Sequence, residues 1–269
     1  MNDIQMILYL RKRVFHAFVL AMASCAMCLI PLYLHAQEER KIELTAQEIL
    51  ARVDRVLDYP EGIIRGRLVH ILPTGQMNKV DFTGMVQGDD SLFTFSTAER
   101  GDSFKVLYNF RGEDIWVYNI LSTKLFHKSG IDKFDPVSFT NFSFVDFSNA
   151  DLQSNYTAKI IGEADVKGMA ALRLRLDPVF RGGAYGMLTL YVGRNSYLPM
   201  RVDYHDSDKV IFKTLQYAQI IERKNRQVPV RCDMLDIRKG TLSILTLHSF
   251  EDNVRFEKKV FMHQELGLR

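Results

Sequence analysis

Two periods of hydrophobic and polar positions run along the chain. From Thr45 to Tyr59 the apolar residues Ile49, Leu50, Val53, Val56 and Leu57 recur at helical spacing and form one stripe. Thr45 and Glu48 stand at the spacing of a capping box, where the threonine side chain accepts a backbone N–H and the glutamate reaches back. Pro60 and Gly62 end that pattern. After them the period becomes two. Phe104, Val106, Tyr108 and Phe110 alternate with Lys105, Leu107 and Asn109; Met200, Val202 and Tyr204 alternate with Arg201, Asp203 and His205; Leu242 and Ile244 alternate with Thr241 and Ser243. Turn-forming stretches separate such runs, among them PTGQ at 73–76, QGDD at 87–90, RGED at 111–114, KNRQ at 224–227 and RKGT at 238–241. Short strands at roughly 8–12-residue spacing predict an antiparallel meander of about ten to twelve strands.

One early helix and so many strands predict a mainly β, α+β fold. A large antiparallel sheet must cover its apolar face, and this helix covers only part of it. A sheet curled around the helix leaves space. A closed barrel would fill that space with side chains, whereas an unclosed barrel keeps a cleft.

The N-terminus stands apart. Arg11, Lys12 and Arg13 precede an apolar run of uncharged residues from Val14 to Leu34, and Ala36 follows. This is the order of a secretory signal peptide, cut between Ala36 and Gln37. The run is also long enough to span a bilayer, so an uncleaved anchor through residues 14–34 is the alternative. The expected organisation is a signal segment at 1–36 and one domain at 37–269, exported to the periplasm. Without Arg11–Arg13 the charge is nearly balanced, the whole chain having 35 Lys+Arg and 32 Asp+Glu. No basic stripe suggests a nucleic-acid partner. Cys232 is the one cysteine after the leader, which excludes an internal disulfide in the exported part.

Chemistry-bearing motifs are missing. His70, His127, His205, His248 and His263 are scattered singly, where a metal site needs clustered ligands, and no HExxH, GxSxG, Walker A or Rossmann fingerprint occurs. DSD at 206–208 begins like a calcium loop but has Ile211 where glycine is needed. RGD at 100–102 reads as a hairpin turn. No cofactor, metal or catalytic residue is expected.

The aromatic load is unusual instead. Phe93, Phe95, Phe104, Tyr108, Phe110, Trp116 and Tyr118 fall in consecutive strands, and PVSFTNFSFVDFSNADL (136–152) packs Phe139, Phe142, Phe144 and Phe147 among small polar residues. A large sheet core is one reading, since strands favour aromatics. An apolar groove for a greasy ligand is the other.

The order of features resembles the outer-membrane lipoprotein-sorting proteins, the LolA-like carriers of bacterial envelopes. The resemblance rests on AQEILARVD in the helix, GEDIWVYN (112–119), FVDFSNADL with Asp146 and Asp151-Leu152, YTAKIIGEADVKGMAALRLRLDP ending at Asp177-Pro178, and LTLYVGRNSYLPMRVDYHD with Pro199. It implies a large curved antiparallel sheet, an unclosed barrel over one or a few helices, with an apolar cavity for acyl chains and no catalysis. The function expected from it is a monomeric periplasmic carrier of lipoprotein acyl chains or other lipids, loaded by an inner-membrane exporter and unloaded at an outer-membrane acceptor. The candidate cavity residues are Phe93, Phe95, Val106, Tyr108, Trp116, Tyr118, Leu188 and Leu190. Phe139, Phe142 and Phe144 are the candidate gate, and Ile49, Val53 and Val56 the helix plug. An envelope sensor or assembly factor on the same fold is the rival reading, and a secreted hydrolase without a recognisable motif is the third.

Overall fold

The helix forms where its cap dictates. Thr45 Oγ1 accepts from the Glu48 backbone N–H at 3.2 Å, and Glu48 Oε2 accepts from the Thr45 N–H at 2.8 Å. These bonds serve two of the donors that a helix start leaves open. The resulting α1 (Ala46–Leu57) buries Ile49, Leu50 and Val53. At its other end Arg226 donates to the carbonyls of Arg55 and Asp58. A computed structural model describes residues 44–97, 101–148, 151–180 and 183–268 of this chain. The expected signal segment at 1–36 and its cut at Ala36 lie outside the described residues.

Among the described residues thirteen strands follow α1: β1 (Gly62–Ile71), β2 (Met77–Gln87), β3 (Asp90–Thr97), β4 (Gly101–Asn109), β5 (Asp114–Asn119), β6 (Lys124–Lys128), β7 (Tyr156–Val166), β8 (Met169–Pro178), β9 (Met187–Gly193), β10 (Pro199–His205), β11 (Ile211–Arg223), β12 (Arg226–Asp236) and β13 (Thr241–Glu251). They make one antiparallel sheet in the order β6-β5-β4-β3-β2-β1-β13-β12-β11-β10-β9-β8-β7. The sheet is curved and not closed. The count exceeds the expected ten to twelve, and β6 shows why a strand can escape notice. Its residues KLFHK are mostly exposed on both faces and carry no period-two signal.

The order contains one topological fact that positions everything else. Each half of the sheet is a meander of nearest neighbours, and the halves meet where β1 pairs with β13. β6 and β7 are consecutive in the chain but lie at opposite edges. The connection between them, residues 129–155, must therefore cross the sheet. It carries two short helices, α2 (Phe144–Phe147) and α3 (Leu152–Asn155). This strap contains the aromatic stretch noted in the sequence.

Under the strap, the β1–β5 half is filled by rings. Phe147 is fully buried, with centroids 5.3 Å from Phe82, 4.9 Å from Phe93 and 5.4 Å from Phe95. Two glycines make room for these rings. Gly84 pairs with Phe93, and a Cβ added to it would sit 2.6 Å from the Phe93 ring; Gly66 pairs with Phe82, and its Cβ would sit 2.3 Å from that ring. The rings thus lie flat across neighbouring strands where no side chain stands.

The outer face of this half is also covered. The chain after β13 returns across β3–β5, where Val260, Phe261 and Leu266 cluster with Leu92 and Leu107. Lys105 donates its ammonium to the Leu266 carbonyl at 3.1 Å. Trp116 is stacked between His127 and His263, with centroids 4.4 and 4.1 Å away. Burial on both faces accounts for the continuous apolar run Ile115, Trp116, Val117, Tyr118 in β5.

Candidate functional site

The β8–β13 half is lined differently. Leu176, Leu188, Val202, Leu215, Leu245 and Leu247 line it from β8, β9, β10, β11 and β13, together with Tyr204 of β10 and Tyr217 of β11. A cavity of about 730 Å³ remains between sheet and strap. Phe142, Val145 and Leu152 of the strap line it, as do Leu57 at the end of α1 and Tyr59 beyond it. Exposed lining residues such as Glu113, Asn155 and Phe180 mark where it meets solvent.

Three of the attachments that hold the strap lie against the sheet and α1. Asn141 is buried; its side-chain N–H₂ donates to the Met234 and Thr241 carbonyls at 3.0 and 2.8 Å, and its Oδ1 accepts from Thr241 Oγ1 at 2.9 Å. Its backbone N–H donates to Ser243 Oγ at 2.8 Å. Farther along, the Asp54 carboxylate of α1 accepts from the Leu152 and Gln153 N–H groups, both at 2.9 Å. Burial raises the Asp54 pKa above the ordinary value, and those backbone hydrogen bonds oppose the rise.

The third attachment is ionic and sits in the cavity wall. Lys213 Nζ lies 2.6 Å from Asp146 Oδ2, and the two side chains are only 6% and 4% exposed. The ammonium also donates to Tyr185 OH at 2.6 Å and to the Asn141 carbonyl at 3.3 Å, so its three protons are all engaged. Asp146 further accepts from Ser143 N–H, Ser143 Oγ–H and Tyr185 OH at 2.9, 2.7 and 2.8 Å. The Tyr185 and Tyr204 rings flank the ammonium, with centroids 4.7 and 4.6 Å away. Burial pushes the Asp146 pKa up, but the Lys213 charge and the Ser143 hydrogen bonds outweigh it, and the net value lies below the ordinary one. Both partners are satisfied, which is the condition for a buried pair to be tolerated.

Tyrosines cluster around this pair. Tyr156, Tyr185, Tyr204 and Tyr217 all line the cavity, and burial raises the pKa of each, so all are neutral phenols. Cys232 lines it too, its thiol pushed up to about 12 by burial and then by Asp233. Lining carboxylates other than Asp146 are Glu113 and Asp151. Among the described residues no three His, Cys, Asp or Glu side chains gather as a metal site. The arrangement offers an apolar wall with one neutralised polar patch.

The residues singled out in the sequence are distributed as follows. Leu188 and Phe142 line the cavity. Leu190 is buried two residues from Leu188 on the same strand face. Phe93, Phe95, Val106 and Tyr108 are fully buried in the filled half, while Trp116 and Tyr118 pack on the opposite face against the C-terminal cluster. The pleat separates them, since alternate residues of a strand point to opposite faces. Phe144 is buried beneath Lys128, whose ammonium lies 5.3 Å from its ring centroid. Phe139 is 36% exposed and 6.1 Å from the His70 ring. Ile49 and Val53 are buried and Val56 half-buried, and the contribution of α1 to the lining is Leu57. Sequence reading did not single out Lys213, Tyr185, Tyr204, Tyr217 or Asn141. One signal was available for Lys213. It shares a strand face with Leu215 and Tyr217, and a lysine on an inward face needs a partner.

A family model described as "Uncharacterized protein" matches residues 87–267. The chain belongs to this family. Three solved structures show its fold. A DUF1329 family protein from Desulfovibrio piger superposes with a TM-score of 0.73 at 20% identity, covering 82% of this chain and 97% of that one. A putative outer membrane lipoprotein-sorting protein domain from Vibrio parahaemolyticus gives 0.70 at 18%, covering 82% and 98%. A LolA superfamily protein from Nitrosomonas europaea gives 0.67 at 18%, covering 81% and 98%. No curated protein matches the sequence. This family member is thus LolA-like in fold, an unclosed half-barrel over few helices.

Proposed function

We propose that this protein is a periplasmic carrier that holds acyl chains of a lipid or lipoprotein in the cavity under the strap and moves them toward the outer membrane. The carrying observation is the cavity itself: about 730 Å³, walled by aliphatic side chains of β8–β13 and roofed by Phe142, Val145 and Leu152. That volume falls in the roughly 300–1,000 Å³ range of sites that enclose small ligands. Burying a methylene gains ~0.8 kcal/mol, so a 16-carbon chain offers ~12 kcal/mol before losses. Such a gain needs shape and apolar surface, and no reacting groups. The reading assigns the chain no catalysis: Lys213 is saturated, and Ser143 Oγ is engaged with Asp146 and Tyr185. The fold shared with a lipoprotein-sorting domain supports the same reading. Export rests on the leader at 1–36, and loading and release would involve an inner-membrane exporter and an outer-membrane acceptor.

Native mass spectrometry of the protein taken from its own envelope tests this. Co-purifying lipid or lipoprotein is expected. A protein that carries no lipid and takes up no long-chain lipid from vesicles would refute it.

A second reading, an assembly factor or sensor that binds a protein partner, draws on β7. That edge strand has its outer side unpaired, and Ile160 and Ile161 are 45% and 43% exposed. A partner could add a strand there, although the bulge at Ile160/Gly162 and Lys159 are features that protect edges.

A further inference from the structure

Under the carrier reading the cavity should be greasy throughout, yet one wall is lined with hydroxyls. Tyr204 is 6% exposed and lines the cavity, and no hydrogen bond of the described residues uses its phenol. The same holds for the phenols of Tyr156 and Tyr217. These residues come from β7, β10 and β11, three separate strands. They converge on the Asp146–Lys213 pair, beside which Tyr185 is already fully engaged. Tyr204 is buried and Tyr156 and Tyr217 are half-buried, and their hydroxyls face the cavity without a protein partner. An alkyl chain filling the cavity would bury them unpaired, which is costly, so the spot calls for a ligand atom that accepts.

The chemistry of the spot selects that atom. The phenols are neutral and donate O–H. The ion pair beside them carries no net charge, and the ammonium has no proton to spare. A ligand cation would find Lys213 already held between the Tyr185 and Tyr204 rings. What fits is a hydrogen-bond acceptor joined to hydrocarbon.

We propose that Tyr156, Tyr204 and Tyr217 form a polar subsite that receives the acyl oxygens of the ligand, a carboxylate or an ester carbonyl, while the alkyl chain lies along Leu188, Leu215 and Leu245. The protein then binds acyl groups with their oxygenated end inside the cavity, and it discriminates them from bare hydrocarbon. This inference rests on the carrier reading and adds to it the orientation and class of the ligand.

The test is displacement of a cavity-bound apolar fluorophore by palmitate, methyl palmitate and hexadecane, each delivered from cyclodextrin, using the wild-type chain and the variants Tyr204→Phe, Tyr217→Phe and the double variant. Phenylalanine keeps the rings around Lys213 and removes only the hydroxyls. Wild type is expected to prefer the oxygenated ligands over hexadecane by about tenfold or more, the size of one or two buried hydrogen bonds. The double variant should lose that preference and bind hexadecane at least as well as wild type. A preference for palmitate over its methyl ester assigns the site to free carboxylates, and equal binding of the two assigns it to the acyl carbonyl; either outcome supports the subsite. Equal displacement by all three ligands in wild type would overturn the subsite and leave the apolar carrier standing. So would a preference that survives in the double variant. Displacement by none of them would overturn both. Thermal unfolding of each variant accompanies the titrations, and the single variants carry the test if the double variant does not fold.

Discussion

Lys213 of β11 and Asp146 of the strap meet at 2.6 Å inside the protein, so that a buried ion pair fastens the cavity's cover to its wall. Removing either partner leaves a buried charge alone, which typically costs 3–5 kcal/mol. Lys213→Met and Asp146→Asn should each lower the urea midpoint strongly, and the double variant should lose less than the sum. The pH dependence has a definite sign. The folded pKa of Asp146 lies below its ordinary value, so its contribution is complete above the unfolded value of ~3.9 and is lost as the pH falls through the folded value. Acid unfolding of Asp146→Asn should therefore show a shallower slope below pH 4 than that of wild type.

Asn141 fastens the strap by hydrogen bonds alone. Asn141→Ala would leave the Met234 and Thr241 carbonyls and the Thr241 hydroxyl without this partner. Each buried group left unmet costs ~1–3 kcal/mol. Amide exchange across 137–147 should quicken by more than that of the β11–β12 hairpin, as measured by hydrogen-exchange mass spectrometry. Uniform quickening would show that the strap and sheet open only together.

Leu245 lines the cavity from β13. Leu245→Trp should fill space that is otherwise open, so the overpacking cost of ~1–3 kcal/mol expected in a dense core should largely be avoided. Long-chain lipid uptake should fall at least tenfold while the urea midpoint changes little. Unaltered uptake would place the lipid elsewhere.

Gly84 tests the filled half. Any Cβ there meets the Phe93 ring at 2.6 Å, and the ring is boxed in by Phe82 and Phe147. Gly84→Val should cost ~1–3 kcal/mol or more by overpacking. Gly84→Val combined with Phe93→Leu should recover part of the loss, which a urea midpoint would register.

Trp116 reports on the C-terminal segment. It is stacked on His263 and lies on the face away from the cavity. Its fluorescence should stay constant during lipid binding and shift to the red when residues 257–269 are deleted. A strong response to lipid would mean that binding is transmitted through the sheet.

Local rules made much of the fold legible. The capping box at Thr45 and Glu48, the turns at 73–76 and 224–227, and the alternation in β10 and β13 each depend on neighbours in sequence. The strap's purpose was not legible in this way. PVSFTNFSFVDFSNADL is aromatic because it crosses the inner face of the sheet, and that follows only from the β1–β13 pairing of distant residues. The cavity depends on a volume difference. Aromatic density marks where Phe82, Phe93, Phe95 and Phe147 fill the inner face, and the space lies where Leu and Val alternate with tyrosines. The ion pair was hidden because Lys213 follows the alternation of its strand like any inward residue.

The seam where β1 meets β13 also has a kinetic meaning. Strands within each half are joined by short turns and can zip in sequence, whereas Arg65 and Glu251 at the seam are 186 positions apart. Closing so long a loop costs entropy before any contact rewards it, and long-range pairing is slow. Folding should thus proceed as two half-sheets that form early and fuse late. Substitutions at seam pairs such as Leu68 and Leu245 should slow refolding, and those in the β11–β12 turn should mainly hasten unfolding. The strap packs Phe147 on β2 and β3 and ties Asn141 to β12 and β13, on either side of the seam, so it can seat fully only on a fused sheet. The binding compartment is then among the last parts of the molecule to exist.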